Sequence, residues 1–124
     1  MPLNLIVLRV ADLERAKFFY EQLGMEFEGQ RHGAGVFHYA CQEKHLVFEL
    51  YQADNIYPTT QSIRLGFEVP NIDNTIAALK IAGFRVLRSP KQSTWGKRAV
   101  VEDTDGRRIE VIEPIRTPTP LYTD

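Results

Sequence analysis

An imperfect tandem repeat limits the folds open to this chain more than any other feature. Residues 5–27, LIVLRVADLERAKFFYEQLGMEF, align without a gap on residues 64–86, RLGFEVPNIDNTIAALKIAGFRV, at an offset of 59. Val10 falls on Val69, Asp12 on Asn71, Leu13 on Ile72 and Gly24 on Gly83. The copy resumes at the end of each half, where HLVFEL around Glu49 matches RRIEV around Glu110 at an offset of 61. Self-similarity at a fixed spacing marks one supersecondary unit used more than once, and two copies are too few for a solenoid. A paired-module fold in one domain, 1–124, is the expectation. Module one covers about 1–52 and module two about 62–114. A polar, proline-containing linker runs over about 53–61, and 115–124, with Pro118 and Pro120, forms an extended tail.

Each copy reads as β-α-β-β-β, an α+β arrangement. In residues 62–69, Ile63, Leu65, Phe67 and Val69 alternate with Ser62, Arg64, Gly66 and Glu68, as a strand with one face on a core requires. Residues 3–10 keep the same register. Asp12 and Asn71 can accept orphan backbone N–H groups as helix N-caps. Leu13, Ala16, Tyr20 and Leu23 follow at helical spacing, as do Ile72, Ile76 and Leu79. Gly24 and Gly83 stand where a helix ends in a left-handed residue. Three strands then follow per copy, at about 25–32, 35–42 and 45–51, and at about 84–89, 97–103 and 107–113. Thr104-Asp105-Gly106-Arg107 predicts a type I′ hairpin turn.

Composition narrows the partners. Fifteen Lys and Arg against sixteen Asp and Glu give a formal charge of -1, so no basic field exists to collect nucleic acid. No apolar run approaches the ~20 residues that span a membrane. Met1-Pro2-Leu3-Asn4 lacks the basic region of a secretory signal. Cys41 is the single cysteine, which excludes an internal disulfide and suits a reducing cytoplasm. In its apolar surroundings Cys41 reads as a small buried residue.

The motifs VxxLxRAxxFYxxLG, spanning Val10 to Gly24, and DTDGRRIEVIEP, spanning Asp103 to Pro114, together with Trp95-Gly96-Lys97-Arg98, resemble the vicinal oxygen chelate superfamily. That group contains glyoxalases, extradiol dioxygenases, fosfomycin-modifying enzymes and bleomycin-binding resistance proteins. The resemblance covers about 3–113. It implies two curved sheets, mixed or antiparallel, each packed on its helix and together forming a cavity. It also implies a homodimer with cavities at or near the interface. Such motifs specify a fold far better than a reaction.

The resemblance further implies one divalent metal held on the first and last strands of each module. Carried over, those positions are Leu5, Glu49, Arg64 and Glu110. Leu5 has no donor atom, and Arg64 has neither a lone pair nor a removable proton. No metal or other cofactor is therefore expected; Glu49 and Glu110 are the only ligands available if a divalent ion binds. Two carboxylates in one cavity repel unless a proton or cation intervenes. Arg64 is expected to bridge both acids and occupy the space of the ion.

Glu49 and Glu110 have two readings, a structural ion-pair cluster or an acid/base pair beside apolar Leu5. Arg64 can instead clamp a ligand carboxylate or phosphate. Tyr39, Tyr51 and Trp95 can line a pocket, or equally serve core or dimer contacts. His45 is expected on the strand of Glu49, roughly 13 Å along it, too far to share an ion. His38, on the neighbouring strand, reads as an ordinary strand residue. Lys91 to Gly96 reads as a polar flap or a plain surface loop. The leading function is metal-independent binding of a small organic molecule. The alternatives are a glyoxalase-like lyase or dioxygenase-like enzyme with a divergent metal site, and a dimeric scaffold module with no ligand.

Overall fold

The structure, a computed structural model, describes residues 1–115. Of the tail expected over 115–124, residues 116–124 lie outside the described residues. Module one runs β1 (Leu5–Val10), α1 (Leu13–Glu21), β2 (Glu28–Gln30), β3 (His38–Glu43) and β4 (Leu46–Gln52). Module two runs β5 (Leu65–Glu68), α2 (Ile72–Ile81), β6 (Val86–Ser93), β7 (Gly96–Glu102) and β8 (Arg108–Pro114). Each module is a separate four-stranded mixed sheet, ordered β1-β4-β3-β2 and β5-β8-β7-β6. The sequence repeat reappears as register. Val7 lies opposite Glu49 across the parallel β1–β4 pair, and Gly66 lies opposite Glu110 across β5–β8.

Local chemistry sets the helix ends. Asp12 Oδ1 accepts the Arg15 backbone N–H at 3.0 Å, and Asn71 Oδ1 accepts that of Asn74 at 3.0 Å. Past α2, Gly83 takes φ 91°, which frees its own N–H to reach Lys80 and that of Phe84 to reach Leu79. These two bonds close a Schellman end and satisfy carbonyls that a helix otherwise orphans.

The apolar sides of both modules share one core. Leu8, Val10, Phe48 and Leu50 from the first sheet and Val101, Ile109 and Val111 from the second are buried with α1 and α2. Tyr20 packs 5.2 Å from Phe48 in its own module and 5.9 Å from Phe67 in the other. Phe19 meets Phe84 edge-on at 5.0 Å. The linker is fastened rather than loose. Arg9 and Thr60 exchange hydrogen bonds, and the Asp54 carboxylate accepts from Ile56 and Tyr57. Among the described residues, no helix is long and apolar enough to cross a membrane.

Four local expectations need correction. The strand expected over 62–69 is hydrogen-bonded only over Leu65–Glu68, and that over 25–32 shrinks to Glu28–Gln30. The turn at 104–107 is not type I′, because only Gly106 has positive φ. The Asp103 side chain shapes it instead, Oδ1 accepting from Asp105 and Arg107 N–H at 2.9 Å each. Lys91 to Ser93 is not a loop. It continues β6 into a hairpin with β7, leaving Thr94 and Trp95 at the tip.

Candidate functional site

Strand alternation gives each sheet a second face, turned away from the shared core. In module one that open face carries Leu5 and Val7 from β1, Glu49 and Tyr51 from β4, and His38 and Ala40 from β3. Leu5 and Val7 are 48% and 37% exposed, a sizeable apolar surface left uncovered. His38, by contrast, is 1% exposed. Its ring stacks on Tyr51 at 4.3 Å and 8°. Nδ1 lies 3.0 Å from the Val36 carbonyl oxygen. A carbonyl only accepts, so Nδ1 carries a proton. The buried Nε2 has no hydrogen-bond partner and faces Glu49 at 3.6 Å. The Arg9 guanidinium covers the Tyr51 ring at 4.6 Å. Burial first, and then the Glu49 charge, raise the Tyr51 phenol above its ordinary range, with Arg9 opposing.

In module two the open face is cationic. Glu110 Oε2 lies 3.0 Å from Arg64 Nη2, and Oε1 accepts from Arg98. Around this pair a cleft of about 520 Å³ is lined by Arg64, Arg88, Lys91, Arg98 and Arg108. Trp95, 70% exposed, borders an adjoining cleft of about 340 Å³ that shares Arg98 and Glu110 with the first.

The expected site residues therefore divide between two faces. Arg64 pairs with Glu110 but does not bridge to Glu49, whose neighbour is His38. The helix-bearing sides of the modules meet, which carries the two open faces apart. His45 is not on the strand of Glu49. It sits exposed in the β3–β4 turn beside Lys44, whose φ is 56°. Tyr39 points to the helix side, where its hydroxyl donates to Glu14 at 2.5 Å and its ring meets Phe27 and Phe37. Cys41 is buried, and that burial raises its thiol pKa.

Sequence reasoning missed Arg98, Arg88 and Arg108 as site residues. Counting by twos from Glu110 reaches Arg108, and register across β7 and β6 reaches Val100 and then Arg88. The signal was present but needed the strand pairing. The donor set does not suit a metal ion. Glu110 is held by two guanidinium groups, Leu5 offers nothing, and Glu49 faces a histidine. Among the described residues, no three His, Cys, Asp or Glu side chains gather around one point.

Two β-α-β-β-β modules sharing a core, each with an open sheet face, define a paired-module fold of the vicinal oxygen chelate type. The chain belongs to the glyoxalase/bleomycin resistance protein/dioxygenase superfamily, whose family model matches residues 3–111. It is 30% identical over 128 residues to a protein of Arabidopsis thaliana described as "Probable lactoylglutathione lyase, chloroplastic", covering 94% of this chain and 37% of that protein. The chain thus spans little more than a third of that curated relative. Among solved structures it resembles TnmS3, an antibiotic binding protein from Streptomyces sp. CB03234, with a TM-score of 0.72 and 27% identity over 93% of this chain and 97% of that one. A glyoxalase/bleomycin resistance protein from the same organism gives a TM-score of 0.69 at 27% identity, covering 90% of this chain and all (100%) of the other.

Proposed function

We propose that this protein binds a small organic molecule without a catalytic metal, as a homodimer in a reducing cytoplasm. In that dimer the open face of module one in one subunit closes over the open face of module two in the other. The observation that carries the metal-free reading is the guanidinium of Arg64 at Glu110, where a divalent ion would meet a fixed positive charge. The dimer follows from what each face lacks. Leu5 and Val7 leave apolar surface in water, and the Glu49 carboxylate is opposite in sign to the cations of module two. Each cleft alone is an open bowl, whereas small-molecule sites bury most of their ligand. Likeness to an antibiotic binding protein supports an organic ligand.

The test is a thermal-shift screen of a chemically varied small-molecule panel, with and without chelator, alongside the molar mass in solution. Ligands binding the native state raise its melting temperature. A chelator-independent rise in a dimer is the expected result. Stoichiometric, tight binding of a divalent ion overturns the reading.

A second reading has the lyase-named relative behind it: an enzyme keeping a weakened metal site on Glu49 and Glu110. Metal-dependent lyase activity on lactoylglutathione favours it over the binder.

A further inference from the structure

We propose that the module-two cleft selects a planar molecule carrying two or more anionic groups, a polycarboxylate or its sulfonate or phosphate equivalent. This rests on the reading that the cleft binds a small organic molecule, and it names the ligand's charge. Five cationic side chains line the cleft against one carboxylate, in a chain whose formal net charge is -1. The excess is therefore local. Glu110 engages Arg64 and Arg98. Among the described residues, Arg88, Lys91 and Arg108 make no ion pair. Glu102 lies across from Arg108 in register, but its carboxylate is 3.6 Å from Arg85.

Like charges crowded on a concave wall repel one another and focus a field that draws in anions. Guanidinium forks then fix a carboxylate or phosphate bidentately, which no neutral ligand reproduces. The spread of Arg88 and Arg108 on strands β6 and β8 asks for more than one anionic group. Trp95, reached across the Arg98–Glu110 pair, offers a flat surface for a ring.

Calorimetry on the full chain with trimesate, its trimethyl ester and its triamide tests this. Trimesate binding at least about tenfold tighter than either neutral isostere, weakening as salt rises, is the expected result. Arg88→Gln with Arg108→Gln weakens trimesate by about tenfold or more, while Lys80→Gln, on α2 and outside the cleft lining, leaves it unchanged. All three positions are exposed, and circular dichroism verifies the folds. Equal binding of ester and trimesate, or indifference to the double substitution, overturns the charge assignment and leaves the small-molecule site standing. Binding of none of the three also overturns it, and the chemically varied panel then decides separately whether the cleft binds anything.

Discussion

Arg107 Nη1 lies 2.8 Å from Asp103 Oδ2 with both side chains fully buried. The same guanidinium donates to the Arg9 carbonyl at 2.8 Å and to that of Thr60, so one residue of module two holds the end of β1 and the linker. The Tyr20 hydroxyl donates to the same Asp103 oxygen, Oδ2, at 2.5 Å. The motif read as family resemblance, Asp103 to Arg107, is thus the polar junction between modules.

Arg107→Met leaves the Asp103 carboxylate buried without its cation. Removing one partner of a buried pair costs about 3–5 kcal/mol, because the remaining charge is uncompensated. Urea unfolding is expected to report a loss of that size, and Asp103→Asn combined with Arg107→Met recovers part of it. A loss under about 1 kcal/mol would place the stability of the junction elsewhere.

Tyr20 gives the junction a pH dependence. Burial first, and then the Asp103 charge and hydrogen bond, push its phenol well above the ordinary range. The folded value exceeds the unfolded one, so the unfolded chain loses this proton first. The contribution is fully present below about pH 10 and fades as pH rises past it. Unfolding free energy is expected to fall above about pH 10 and to fall less steeply in Tyr20→Phe. Ultraviolet titration of the native protein should show no difference in phenolate signal between the two until unfolding sets in.

Local features of this chain were legible because few residues determine each one. Asp12, Asn71, Gly24 and Gly83 perform the capping and left-handed roles that their spacing implied. Facing was not legible, because it depends on pairing between distant segments. A slip of one residue reverses every side chain on a strand. Lys44 and His45 form the β3–β4 turn, and that pairing puts His38 on the open face and Tyr39 on the helix side. The expectation that Arg64 meets Glu49 places both modules around one cavity. The aromatic core formed by Tyr20, Phe48 and Phe67 joins the modules back to back instead.

Gly96 is fixed by close approach. A Cβ there would stand 2.3 Å from the Glu113 carbonyl oxygen, at φ 134°. Neither the β8 backbone nor the strained dihedral can yield cheaply. Gly96→Ala should therefore cost more than the ~1–2 kcal/mol of a left-handed alanine alone. Gly106→Ala, with φ 85° but open space around it, should cost only about that amount. Comparing the two melting temperatures separates backbone conformation from collision, and equal losses would remove the collision.

The proposed absence of a metal is testable by restoring one. At present Glu110 is occupied by Arg64 and Arg98, and Leu5 supplies no lone pair. Replacing Arg64 removes a fixed cation and releases one carboxylate oxygen. Leu5→His with Arg64→His adds two neutral imidazoles and gives two histidines and two glutamates at the repeated strand positions. Four nitrogen and oxygen donors suit a divalent transition ion. Glu49 and Glu110 lie on different open faces, so only the proposed dimer brings all four together. Calorimetry with nickel or zinc should show stoichiometric binding in the double variant, at least about a hundredfold tighter than in the parent chain. Either single variant should bind weakly, because one imidazole leaves the ion mostly to water. A folded, dimeric double variant that binds no metal would mean that the two open faces do not converge. Tight binding by the parent chain would mean that Arg64 does not exclude the ion.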